Sequence, residues 1–154
     1  MVFVGIDPGL SGALALYDPA RDWLEVHDCP TLKVNGKGEM FLPGIIDILG
    51  SAEVIGCIIE RSQAMPKQGV SSTFSYGTGY GSYLGILAAL GMPHTKIGPQ
   101  EWKRKLRVPS DKDGARARAS ELLPAHTGKW LRKKDHGRAE AALLAYFAAN
   151  HAQL

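Results

Sequence analysis

The chain has 154 residues, 45% of them apolar and 21% charged, with a formal net charge of +3. Residues 1–154 read as a single domain, large enough to bury about two-thirds of its unfolded surface, and no apolar run reaches the roughly 18 residues of a membrane span. The opening Met1-Val2-Phe3-Val4-Gly5-Ile6-Asp7 has no basic segment, so no secretory signal is expected, and two cysteines without zinc or redox spacing, Cys29 and Cys57, point to a reducing, cytoplasmic setting.

Residues 2–6 are a short apolar, β-prone run that reads as a buried strand ending at Asp7. Residues 7–12 are turn chemistry. Residues 13–17 make a second strand, which Asp18-Pro19 stops, and residues 23–26 start a third. Three strands joined by short turns form an antiparallel meander. Residues 29–40, with Pro30, Asn35, Gly36 and Gly38, are expected to be a flexible loop. A short amphipathic helix is expected over 41–51. The continuous apolar run 54–59, ending in Glu60, suits a central strand buried on both faces. Residues 61–72 look irregular. A helix is expected over 73–90, then an edge strand over 92–97 and a short basic helix from Pro99. The pattern predicts a helix over 111–123, with Asp111 as N-cap and Pro124 as stop, and a last helix over 135–150. The order gives an α/β fold with a mixed sheet.

Charge is divided unevenly along the chain. Residues 1–95 hold five Lys/Arg against nine Asp/Glu, and residues 96–154 hold thirteen against six. A basic back half suggests a polyanionic partner. Two acids, Asp7 and Glu60, stand at the ends of apolar strands, a rigid place to mount a ligand. A third acidic element, Asp135-His136-Gly137-Arg138-Ala139-Glu140, opens the last helix, and His136 and Glu140 share one helix face. Converging carboxylates repel one another, and a divalent cation relieves that conflict. Hard oxygen donors suit Mg²⁺ or Mn²⁺. Two such ions promote phosphodiester cleavage by activating water and stabilising the leaving oxygen.

These segments resemble RuvC-type Holliday junction resolvases. Gly5-Ile6-Asp7-Pro8-Gly9-Leu10-Ser11-Gly12-Ala13 looks like the family's opening strand and turn. Ile58-Ile59-Glu60-Arg61-Ser62-Gln63 resembles its second acidic motif, and Glu140-Ala141-Ala142-Leu143-Leu144-Ala145 its last. Ile97-Gly98-Pro99-Gln100-Glu101-Trp102-Lys103 looks like its strand and short basic helix. The likeness covers most of the chain in the right order and is nearest to the compact resolvases of phages and prophages. It implies an RNase H-like fold, with a five-stranded mixed sheet (three antiparallel strands, then two parallel) flanked by helices. It also implies a homodimer that nicks four-way junctions and other branched DNA symmetrically, in recombination, repair or phage DNA processing, with two Mg²⁺ ions per site that Mn²⁺ can replace. Asp7, Glu60 and Glu140 are the implied ligands. The family's fourth ligand falls three residues before the last acid, where this chain has Gly137. Asp135 is the first substitute and His136 the second; His136 alternatively acts as proton shuttle.

The loop after Glu60 is expected at the rim of the site, with Gln63, Met65 and Lys67 as candidate DNA contacts. Further phosphate contacts are expected from Lys103, Lys105 and Arg107, and above all from Lys133, Lys134 and Arg138 beside the last acidic motif. Of Arg116 and Arg118, at most one is expected to face DNA. Trp102 is expected in the core. Gly77, Gly81 and Gly85 line one helix face and suggest close packing, partly on the chain's own sheet, with Tyr80, Tyr83 and Leu84 beside them in a dimer contact. Two other functions remain compatible with the same motifs: a nuclease for RNA–DNA hybrids or RNA, and a DNA-binding module that has lost catalysis. A fragment of the actin and sugar-kinase fold shares the aspartate-proline-glycine turn, but that fold needs two domains around its nucleotide.

Overall fold

In a computed structural model describing residues 1–111 and 113–151, β1 (Val2–Asp7), β2 (Ala13–Asp18) and β3 (Trp23–Asp28) form the expected antiparallel meander. Strand β6 (Val54–Glu60) lies parallel to β1, and β7 (His94–Ile97) lies parallel to β6 at the sheet edge. The five-stranded order is β3-β2-β1-β6-β7. The centre of the sheet is therefore β1, flanked by β2 and β6, and the side chains of all three alternate between two cores.

Val4, Ile6, Leu14, Leu16, Cys57 and Ile59 face one core. The helices α1 (Leu42–Gly50) and α2 (Val70–Ala89) close it with Ile45, Leu49, Tyr83 and Leu87. Phe3, Ala13, Ala15, Tyr17 and Ile58 face the other. There α3 (Pro99–Lys105), α4 (Gly114–Leu122) and α5 (His136–Asn150) pack, with Trp102, Ala119, Leu143 and Leu144. Small residues let α5 lie close to the sheet. A methyl group on Gly5 would strike the Ala141 carbonyl oxygen and the Ala145 nitrogen, both backbone atoms of α5. Among the described residues no helix is long and apolar enough to cross a membrane.

The structure departs from the sequence expectations in four places. Residues 29–40 are not an open loop: β4 (Thr31–Val34) and β5 (Lys37–Met40) pair as a separate hairpin. Its turn is Asn35-Gly36, with φ of +49° and +77°, the left-handed pair that a two-residue hairpin turn requires. Helix α2 starts three residues before the expected 73. Helix α4 starts at Gly114, not at 111, and Asp111 caps no helix: its side chain accepts from the Asp113 amide at 2.9 Å. The expected helix also ran through Lys112, which lies outside the described residues.

The fourth departure concerns the glycine stripe. Gly77, Gly81 and Gly85 do not pack on the chain's own sheet; nothing lies within 4 Å of a side chain built there. The close approach is at Gly79, against the Met40 side chain. The stripe belongs to an exposed face of α2 that includes Val70 (89% exposed) and Phe74 (77% exposed). Tyr83 is fully buried in the chain's own core, its hydroxyl 3.5 Å from Cys29 Sγ, so it is not free for a dimer contact. Tyr80 and Leu84 are half-buried.

Candidate metal centre

The register of β1 on β6 pairs Gly5 with Ile58 and Ile6 with Ile59. One residue further, Asp7 and Glu60 end neighbouring parallel strands side by side. The two-residue period of a strand puts Asp7 on the face of Gly5 and Glu60 on the face of Ile58, toward α5. Helix α5 supplies Glu140 in its second turn. Oxygens of Asp7, Glu60 and Glu140 all lie within 4.8 Å of one another.

Helix α3 reaches the same place with two successive residues. Trp102 Nε1 donates to Glu60 Oε2 at 2.7 Å. Lys103 Nζ donates to Glu140 Oε1 at 2.7 Å. Burial raises Asp7 well above the usual carboxylate range, and the charges of Glu140 and Glu60 push it further. Burial also raises Glu60, against the pull of the Trp102 hydrogen bond. Burial alone would lower the Lys103 ammonium, but Glu140, Glu60 and Asp7 together raise it. The centre therefore holds more negative charge than its environment easily solvates. An all-carboxylate donor set with that deficit of positive charge fits Mg²⁺ or Mn²⁺.

The structure places the other acid of the motif elsewhere. Asp135 is buried, but it faces Arg132: its carboxylate accepts from the Arg132 amide at 2.9 Å and from its guanidinium at 2.9–3.2 Å. The Arg132 hydrogen bonds hold its pKa down at about 2. It is not among the three carboxylates that converge. The residue of the motif that lies against Asp7 is Gly137. A Cβ there would lie 3.2 Å from Asp7 Oδ2 and 2.8 Å from the Ser11 carbonyl oxygen. The backbone leaves no room for a ligating side chain, which accounts for glycine at this point. His136 is exposed and lines a groove of about 600 Å³ with Lys103, Ser110, Lys133 and Glu140.

The basic residues divide. Lys103 and Lys133 border the groove beside Glu140. Lys134 and Arg107 are exposed. Lys105 lines a second groove, with Thr95, Lys96 and His151. Arg138 makes a two-pronged ion pair with Asp28, both contacts 2.7 Å, tying α5 to the end of β3. Arg116 and Arg118 hold backbone carbonyls of Trp130, Leu131 and Leu106 and pair with Asp113 and Glu121. Gln63, Met65 and Lys67 lie on an exposed loop after Glu60.

Two features of the structure are not legible in the sequence. The Trp102 contact with Glu60 was hidden because an indole that fills a core and one that also serves a carboxylate look alike in sequence. The exposure of Phe74 is not legible either: it lies within the expected helix in line with Gly77, Gly81 and Gly85, and sequence does not tell whether such a face packs inward or faces out.

Among solved structures, the chain is similar to Thermus thermophilus RuvC in complex with a Holliday junction substrate, with TM-score 0.61 and 18% identity over 94% of this chain and 90% of that one. A second Thermus thermophilus RuvC structure matches with TM-score 0.57 and 17% identity, over 96% and 95% of the two chains. No family model and no curated protein sequence matches the chain. The likeness is one of fold: the mixed five-stranded sheet flanked by helices is that of these RuvC structures.

Proposed function

We propose that this chain is a divalent-metal-dependent endonuclease that nicks branched DNA, four-way junctions above all, acting as a homodimer of the RuvC type and of the compact, phage-like kind its motifs resemble. The observation that carries the reading is the convergence of Asp7, Glu60 and Glu140 within 4.8 Å at the carboxyl ends of two parallel strands. The basic groove beside Glu140 supports it, as does the shared fold with a RuvC structure bound to a Holliday junction.

Asp7, Glu60 and Glu140 would hold the metal, with Asp7 the central ligand as the resemblance implies. Divalent cations bound there supply Lewis-acid chemistry to a phosphodiester. The chain's own residues do the rest. Lys103, which lines the groove beside Glu140, would meet a phosphate oxygen there. Lys133 holds the backbone on the facing wall. His136, exposed at the start of α5 and lining the groove, is the proposed proton shuttle. Asp135 keeps the first turn of α5 in place through Arg132, so its part is to position His136 and Glu140. The exposed face of α2 is the proposed dimer contact, since the two-fold symmetry of a four-way junction calls for two matched sites.

The test is cleavage of a four-way junction, a flap, a linear duplex and an RNA–DNA hybrid, with Mg²⁺ and with EDTA. Mg²⁺-dependent nicking that prefers the junction is expected. Preferred cutting of the hybrid would move the reading to an RNase H-type activity, and binding without cleavage to a lapsed enzyme.

A further inference from the structure

Within the proposed metal centre, Glu60 and Glu140 are held differently. Glu140 is paired with an ammonium, Lys103 Nζ at 2.7 Å. Glu60 is held by a neutral donor, and among the described residues the Trp102 indole at 2.7 Å is its sole hydrogen-bond partner. The ring of Trp102 is fully buried, packed in the core that also holds Ile58, Ile97 and Leu106. It cannot turn without emptying that core. Filling the space needs only a large apolar side chain; the indole adds a polar N–H that must find an acceptor when buried. The acceptor it has is one of the three carboxylates.

We propose that Trp102 is a positioning residue of the metal centre: its indole N–H fixes the Glu60 carboxylate in the orientation in which it meets a divalent cation shared with Asp7. This rests on the metal reading of the site. The physical argument is that an indole is a donor only and carries no charge. It orients the carboxylate without neutralising it, so Glu60 keeps its full attraction for a cation. A lysine or arginine in the same place would offset part of that negative charge. An outer partner that fixes a ligand's rotamer raises metal affinity because less freedom is lost on binding.

The experiment is Mn²⁺ binding to the full chain, followed by electron paramagnetic resonance and calorimetry, for the wild type, Trp102→Phe, Glu60→Gln and the double variant. Trp102→Phe keeps an aromatic ring and removes the donor. It is expected to weaken Mn²⁺ binding about 10-fold, and to add nothing in the Glu60→Gln background, where the carboxylate it serves is gone. A general packing role would give the same loss in both backgrounds. In parallel, the indole N–H resonances of the wild type are followed by NMR during Mg²⁺ titration. The Trp102 resonance is expected to shift, and to stay unmoved in Glu60→Gln; this reading stands even if Trp102→Phe fails to fold. Unchanged Mn²⁺ affinity in folded Trp102→Phe, equal losses in both backgrounds, or an indole resonance unmoved by saturating Mg²⁺ overturns the inference and leaves the metal centre standing. A wild type that binds no Mn²⁺ overturns the metal centre itself, and this inference with it.

Discussion

Asp7 shows how a site of this kind conflicts with stability. Its carboxyl is raised because burial and two neighbouring acids disfavour the charge. A group whose folded pKa is raised stabilises the fold below its unfolded value, and that stabilisation is lost as pH rises through the folded value. At neutral pH and without metal the centre is thus a net cost. Asp7→Asn is expected to abolish nicking, keep junction binding, and raise the metal-free Tm at neutral pH above that of the wild type; paired thermal melts in EDTA check the stability part. Asp135 has the opposite sign. Arg132 lowers it to about 2, so its stabilisation is present above the ordinary aspartate range and lost as pH falls toward 2. Asp135→Asn is expected to lower Tm at pH 7, with a gap from the wild type that narrows between about pH 4 and pH 2. In sequence, Asp7 and Glu60 are visible as acids closing apolar strands. Asp135 and Glu140 are equally visible, but their partners are not: one faces Arg132 and the other the sheet, and the six residues of the motif give no means of telling them apart.

At the scale of the element, the centre depends on how near α5 lies to β1. Gly5 is the contact that sets this distance, because a methyl group there meets helix backbone, which cannot rotate away. Gly5→Ala is expected to destabilise the fold by about 1–3 kcal/mol or more. It should also reduce nicking under conditions where the variant is still folded, because moving α5 outward moves Glu140 from Asp7. Chemical denaturation and a cleavage assay on the same preparation check the two halves. The sheet and its flanking helices are legible from runs of apolar residues, since buried strands and long helices leave strong periodic patterns. The β4–β5 hairpin is less so, because its side chains are mostly exposed and its signal is short: the alternation of Leu32 and Val34 with Thr31 and Lys33, followed by the Asn35-Gly36 pair. Helix α3 is legible as a helix, yet its rotation about its own axis decides that Trp102 meets Glu60 and Lys103 meets Glu140, and seven residues fix no such phase.

Across the whole molecule, the basic back half is not one surface. Arg116, Arg118 and Arg138 are consumed in holding the fold together, while Lys103 and Lys133 border the carboxylates. Junction affinity is therefore expected to fall steeply with salt, but with a slope set by the groove and loop lysines and not by the total charge. The exposed α2 face makes a second prediction at this scale. The wild type is expected to sediment as a dimer, and Phe74→Asp on that face to shift it toward monomer, with paired nicks giving way to single ones. The claim on which all of this depends is that Asp7, Glu60 and Glu140 form the centre that cuts a junction. The most direct measurement is nick mapping on a four-way junction labelled on two opposed strands, with Mg²⁺, for the wild type and Asp7→Asn. The account predicts nicks at symmetry-related positions from the wild type and none from the variant, which still binds. Undiminished nicking by Asp7→Asn would contradict it.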